Sequence, residues 1–411
     1  MNKPARALLW LLLASAVPAQ SKNLLFYGNS LTYYSWGYGV PELVGMIATE
    51  AGHPSPTIVA ALVGGGGMQF HATNATQIAR ISNSLPPGQT WDSVVMQGVV
   101  LEATNGGGFS AAQFRSSAVT VMTNVRSHSP AARAVLFQTW APSYGQLYYN
   151  FPSPWPNPMA LHNEVRSNYR LATSDITAAF GVGSATNAAA GDAVALLQWQ
   201  PMWYEPDLFH PNPAMILLAA MCIYTSVYGQ TVGQLRPSFS PPGQIALALA
   251  PFGLGEAVWN QLAGIADTSA DRAVRPYPGS GDHLLFESAT TSDPMTAGHI
   301  KRMTAGTPLQ MQIRSMNGVF DGAEGWLVAS LFPTGSPPGP VLGYPELQVD
   351  PGAMVIVSTS TTLASPLSFT IQMPFTLPGA SFLVQGVAFQ ASPETGNPQI
   401  TTTDAHELVL F

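Results

Sequence analysis

The chain has little that could tether it covalently or by charge. Of its 411 residues one is cysteine, Cys222, so no intrachain disulfide can form and stability has to come from packing. Asp, Glu, Lys and Arg make up 9% of the residues, against roughly a quarter in an average globular protein, which argues against coiled coil and charge-rich disorder. There is no basic run, and 15 Lys and Arg against 22 Asp and Glu leave a formal charge of −7. Nucleic acid is therefore not an expected partner, because phosphate binding needs clustered cations. No apolar run reaches the ~20 residues of a membrane span, and the most apolar stretch, 214–228, reads as a buried helix carrying an inert Cys222. Glu42, Glu50 and Glu102 are isolated from one another and the histidines are dispersed, so no metal-ligand spacing appears. The glycines at 64–67 lack both the Lys-Ser/Thr of a phosphate loop and the spacing of a dinucleotide loop, so no cofactor is implied.

What the chain does have is apolar residues, 46% of the total, with 38 Gly and 36 Pro to make many turns. Lys3 and Arg6, then an apolar run over 7–17, then Val17-Pro18-Ala19 read as a secretory signal cleaved near Ala19. A secreted or periplasmic protein with no membrane span in its mature chain is the expectation, and lipid attachment is not expected because no cysteine follows the apolar run.

Over 22–272 short apolar runs alternate with longer helix-like stretches, as in a parallel α/β sheet. Strands are expected at 24–27, 57–63, 93–97 and 134–139, with helices at 41–51, 111–126, 161–180, 214–228 and 261–271. The aromatic, proline-rich 142–159 reads as a loop, either a lid or a rim. Residues 273–283 have linker composition. Beyond them, 284–411 holds short alternating runs such as Leu309-Gln-Met-Gln-Ile313 and Met354-Val-Ile-Val357, an all-β pattern most simply read as a sandwich.

Two blocks can carry chemistry. Gly28-Asn29-Ser30-Leu31-Thr32 follows the first strand, which puts a serine at the carboxyl edge of a parallel sheet, where ligands bind in open α/β folds. Position alone explains a helix-capping serine equally well. Asp207-Leu-Phe-His210-Pro211 stands before the apolar helix. An aspartate three residues ahead of a histidine can hold one imidazole nitrogen while the other takes a proton from serine, and the following proline keeps the histidine out of helix. A capping aspartate beside a surface histidine is the plain alternative.

Together the blocks resemble the GDSL/SGNH hydrolase family, with Asn29 standing where Gly-Asp-Ser-Leu has aspartate. The resemblance covers residues 23–270 and implies a three-layer α/β/α flavodoxin-like domain and a serine esterase. It makes Ser30 the nucleophile, Asp207 the orienting acid and His210 the base. The glycine block looks like Val63-Gly64-Gly65-Gly66-Gly67-Met68, with Gly65, or else Gly66, joining the N–H of Ser30 as oxyanion donor. The third block, Val94-Val95-Met96-Gln97-Gly98-Val99-Val100, has no asparagine. Gln97 is the favoured replacement, its amide donating to the oxyanion, whereas Val99 in that place would leave the hole one donor short. His71 and Trp140 resemble pocket positions of a sub-branch with a Gln-type block, although both could simply pack under the loops. Tyr33, Tyr34, Trp36 and Trp203-Tyr204 could form a flat rim for a sugar, or belong to the core. The expected substrate is a small ester or an O-acylated carbohydrate. A weakly active carbohydrate or cell-surface binding protein and an acyltransferase to a sugar remain alternatives, and the oligomeric state is open.

Overall fold

The computed structural model describes residues 21–33, 37–150, 152–233, 235, 237–271, 275–291, 295, 299–304, 306–316, 318–334, 336–372 and 379–410. The expected leader at 1–19, the rim aromatics Tyr34 and Trp36 and the boundary residues 272–274 lie outside the described residues.

The first half alternates strand and helix: β1 (Asn23–Gly28), α1 (Val40–Glu50), β2 (Thr57–Leu62), α2 (Met68–Thr73), α3 (Ala75–Asn83), β3 (Ser93–Met96), α4 (Ala111–His128), β4 (Arg133–Phe137), α5 (Pro158–Phe180), β5 (Ala185–Ala188), α6 (Ala190–Leu196), α7 (Pro213–Tyr228), α8 (Gln244–Leu249) and α9 (Glu256–Ser269). The five strands are parallel in the order β2-β1-β3-β4-β5. Leu24, Leu25, Phe26 and Tyr27 are buried on both faces of β1, which is why the strand reads as an unbroken apolar run. Helices α1, α7, α8 and α9 pack on one another, as α2, α3, α4 and α5 do separately, giving the expected three layers. The order 2-1-3-4-5 reverses direction at β1/β3, so the crevice beyond the carboxyl ends of those two strands is where such a sheet holds ligands.

Local chemistry sets the helix ends. Helix α7 starts where Asn212 accepts from the N–H of Met215 with Pro213 in the first turn, and it stops at left-handed Gly229 (φ 67°). Helix α5 begins three residues before the expected 161, because Asn157 caps it and Pro158 fits its first turn. The pairs α2/α3 and β5/α6 are short, and the sequence pattern passes over them. Cys222 is buried on α7, where burial pushes its thiol pKa well up. No described helix is long and apolar enough to cross a membrane.

The second half is β6 (Leu284–Ala289), β7 (Ile300–Met303), β8 (Pro308–Ser315), β9 (Gly325–Pro333), β10 (Val355–Ser360), β11 (Leu367–Gln372), β12 (Ala380–Ala388), β13 (Thr401–Thr402) and β14 (His406–Leu410). One sheet runs β10-β9-β12-β14-β7 with β13 on β12, and the other runs β11-β8-β6. Phe286, Met311 and Ile313 from the smaller sheet share one apolar cluster with Leu327, Val384 and Leu408 from the larger, which makes the pair a sandwich. Residues 275–283 are pinned rather than free: Arg275 and the N–H of Gly279 donate to Asp404, and the N–H of Ser280 donates to Thr402. Arg166 and Arg170 of α5 reach Glu394, and Leu196 packs on Leu285 and Met316, joining the two halves.

Candidate active site

The chain leaves β1 through Gly28, where a Cβ would lie 2.4 Å from Thr32 Oγ1 and 3.0 Å from Gln97 Oε1, so only glycine fits. The turn that follows is held from within. Leu31 N–H donates to Asn29 Oδ1 (3.0 Å) and Thr32 N–H to the Asn29 carbonyl (3.0 Å). The N–H of Ser30 has no partner among the described residues. Ser30 itself is half-buried at the β1/β3 reversal point.

A second loop brings an imidazole to that hydroxyl. His210 Nε2 lies 2.9 Å from Ser30 Oγ, and its Nδ1 lies 2.5 Å from Asp207 Oδ2. Asp207 Oδ1 accepts from the N–H groups of Phe209 (3.0 Å) and His210 (2.9 Å), wrapping the loop around the carboxylate, with Leu208 between them at φ 62°. Slight burial would raise the Asp207 pKa, but the hydrogen bonds from His210 and from the two N–H groups outweigh it and hold the carboxyl below its ordinary value. An ionised carboxylate on Nδ1–H leaves Nε2 as the acceptor of the serine proton.

The 142–150 loop is hydrogen-bonded to this acid–base loop. Ser143 N–H donates to Leu208 O (2.9 Å), Ser143 Oγ to Trp199 O (2.7 Å) and Gln146 Nε2 to Asp207 O (2.9 Å). Trp199 is itself left-handed (φ 49°).

The glycine block forms a tight turn after β2. Gly66 N–H is used in donating to Val63 O (2.8 Å), whereas Gly65, at φ 68° with open space where a Cβ would be, keeps an N–H without a partner among the described residues. Of the two glycine candidates, Gly65 alone has a donor to offer.

Gln97 stands differently from expectation. It is fully buried, and its Oε1 accepts from Asn29 N–H (2.9 Å) and Thr32 Oγ1 (2.9 Å) while its Nε2 donates to the Gly98 carbonyl. The side chain that the resemblance assigns to an oxyanion thus holds the serine turn through its oxygen, and one of its amide hydrogens is spent on Gly98 O. Val99 brings no side-chain donor, and its N–H faces Glu102. His71 is buried against Tyr27 with its pKa lowered by burial, and Trp140 is buried beside Phe137. Neither reaches an open surface. Tyr204 is buried with its hydroxyl on Ala141 O (2.7 Å), and Trp203 is half-buried. Tyr33, 56% exposed three residues after Ser30, is the described aromatic of the expected rim that remains open to solvent.

The sequence reading missed Asn29. Its Nδ2 donates to Gly66 O (3.0 Å) and reaches Gly98 O (3.5 Å), so one side chain ties the serine turn to the glycine turn and to the end of β3. The signal lay in the amide standing where the motif has a carboxylate, since only the amide donates.

Among solved structures, the chain is similar to a candidate SGNH hydrolase from Slackia heliotrinireducens, at 19% identity and TM-score 0.37 over 50% of this chain and 99% of that one. It is also similar to a DUF4886 family protein from Bacteroides uniformis, at 13% identity and TM-score 0.43 over 60% and 93%. A lipase from a goat rumen metagenome matches at 10% identity and TM-score 0.33 over 50% and 97%. No protein-family model and no curated protein matches the chain.

Proposed function

We propose that this protein is an exported serine esterase acting on carboxylic esters with a small acyl group. The observation that carries the reading is the continuous line Ser30 Oγ, His210 Nε2, His210 Nδ1, Asp207 Oδ2, with 2.9 Å at the first step and 2.5 Å at the last. Ser30 Oγ attacks the ester carbonyl and passes its proton to His210 Nε2. The N–H groups of Ser30 and Gly65, both free of other partners among the described residues, receive the charge that develops on the carbonyl oxygen. Imidazolium returns the proton to the leaving alcohol, and water activated by His210 then releases the acid from Ser30. Asp207 keeps the imidazole in the working tautomer throughout. O-acetylated sugar is the first substrate class to test, since the exposed ring of Tyr33 lies close in sequence to the nucleophile and could cover a sugar face.

The test is hydrolysis of p-nitrophenyl acetate, butyrate and octanoate and of an O-acetylated sugar by wild type and Ser30→Ala. Turnover favouring the short acyl groups, falling on the order of 10³-fold or more in the variant, is expected. A Ser30→Ala protein as active as wild type would overturn the reading. Adding a sugar acceptor and looking for acylated product separates transfer from hydrolysis.

A further inference from the structure

A buried acid stands beside the glycine turn. Glu102 lies in the short turn (Val100–Ala103) after β3, and both its oxygens are spent on backbone N–H groups. Oε2 accepts from Met68 (2.7 Å) and Val99 (3.3 Å), and Oε1 accepts from Gln69 (2.9 Å). No basic side chain pairs with it among the described residues. Taking a carboxylate out of water without a counter-ion is costly, so those hydrogen bonds have to compensate.

The geometry says what they hold. Met68 and Gln69 open α2 directly after the glycine turn, and the cap residue Gly67 has no side chain with which to cap them. Glu102 supplies that cap from the next strand's loop. A Cβ on Gly67 would lie 2.5 Å from Glu102 Oε2 and one on Gly98 would lie 2.8 Å from it, so these two glycines make the space the carboxylate fills. The turn between is anchored at its start by Val63 N–H on Gly28 O (3.0 Å) and in its middle by Asn29 on Gly66 O. Its far end is anchored by Glu102. With that end loose, left-handed Gly65 has nothing packed on its open side to keep its N–H in one direction.

We propose that Glu102 is a positioning residue for the oxyanion site: it clamps the first turn of α2 to the β3 loop and so aims the Gly65 N–H, without touching substrate. This rests on the reading of Ser30 and Gly65 given above.

Glu102→Gln keeps the volume but turns one acceptor oxygen into an NH2 group facing an N–H donor. The expected result is a kcat about 30- to 300-fold lower, at or somewhat below the roughly 10²–10³ of a fully lost oxyanion donor because Gly65 is misaimed and not removed, with KM changed by no more than about twofold. Faster amide hydrogen exchange should be confined to peptides covering 64–70 and the 99–103 turn, whose N–H groups Glu102 holds. Gly67→Ala, which drives a methyl group into the carboxylate, should give the same defect by another route. The double variant should be no worse than the more affected single one, because both break one clamp. If Glu102→Gln does not fold, Gly67→Ala alone decides. An unchanged kcat in a folded variant, or a KM increase at constant kcat, overturns the proposal while leaving the esterase reading intact. A wild type inert toward every ester overturns the esterase reading and the catalytic purpose of the clamp with it.

Discussion

Asn29 donates its side-chain amide to the carbonyl of Gly66 at 3.0 Å, joining the residue before the candidate nucleophile to the residue after the candidate oxyanion donor. Asn29→Asp would keep the acceptor for Leu31 N–H but turn a carboxylate oxygen toward the carbonyls of Gly66 and Gly98. Facing two carbonyls in a buried place, that carboxyl should have a raised pKa. The variant should therefore be weak at about pH 8 and regain ground toward about pH 5 as it protonates. The measurement is the ratio of variant to wild-type kcat/KM across that range. A flat ratio would show that the amide's donor role does not matter.

Gln97 separates a supporting role from an oxyanion role. Replacing it with leucine strands the buried Asn29 N–H, which should cost about 1–3 kcal/mol of stability. Unfolding midpoint and kcat should fall together. A lowered kcat with an unchanged midpoint would point to donation toward the substrate instead.

Asp207→Asn retains an oxygen for the N–H groups of Phe209 and His210 but presents NH2 to Nδ1, favouring the wrong imidazole tautomer. A kcat loss on the order of 10⁴ is expected, with little change in KM. Because the folded Asp207 pKa lies below its ordinary value, the pair it forms persists as pH falls past about 4, where a free aspartate takes its proton. The pair is lost only as pH drops through the lower folded value. Loop exchange measured between about pH 6 and 3 should show that delay, and opening of the 205–210 loop already at about pH 5 would contradict it.

His283, where the two halves meet, has its pKa brought down to about 4 by burial first and then by the nearby Arg166 guanidinium. The unfolded chain takes up this proton near its ordinary value of 6.5, while the folded chain resists until about 4. Stability contributed by this site is therefore complete above 6.5 and declines as pH falls through that window. Urea midpoints should fall with pH more steeply in wild type than in His283→Asn, and parallel slopes would remove His283 from the account.

Much of the α/β half was readable because its central strands are short continuous apolar runs, as at 24–27, while 214–228 is an apolar stretch too long for a strand and so reads as a buried helix. The short α2/α3 and β5/α6 pairs were not, because a helix of six residues owes its existence to what packs on it or caps it, as Glu102 caps α2. The same limit applied at the site. Residue types and local spacing singled out Ser30, Asp207 and His210, and the family resemblance added Gly65, yet neither gave any means of knowing which way Gln97 would face or that Asn29 and Glu102 would take part.

By itself the amino-acid order determined the strand and helix types, the turn chemistry and the local Asp-x-x-His wrapping, because each depends on residues a few positions apart. Only the tertiary structure decided that His210 meets Ser30 across 180 residues, that Gln97 supports the turn from beneath, and that one carboxylate stands between Gly67 and Gly98. The last two depend on sheet order, since β2, β1 and β3 lie side by side and deliver three distant loops to one edge, and the first depends on the loop between α6 and α7 reaching that same edge.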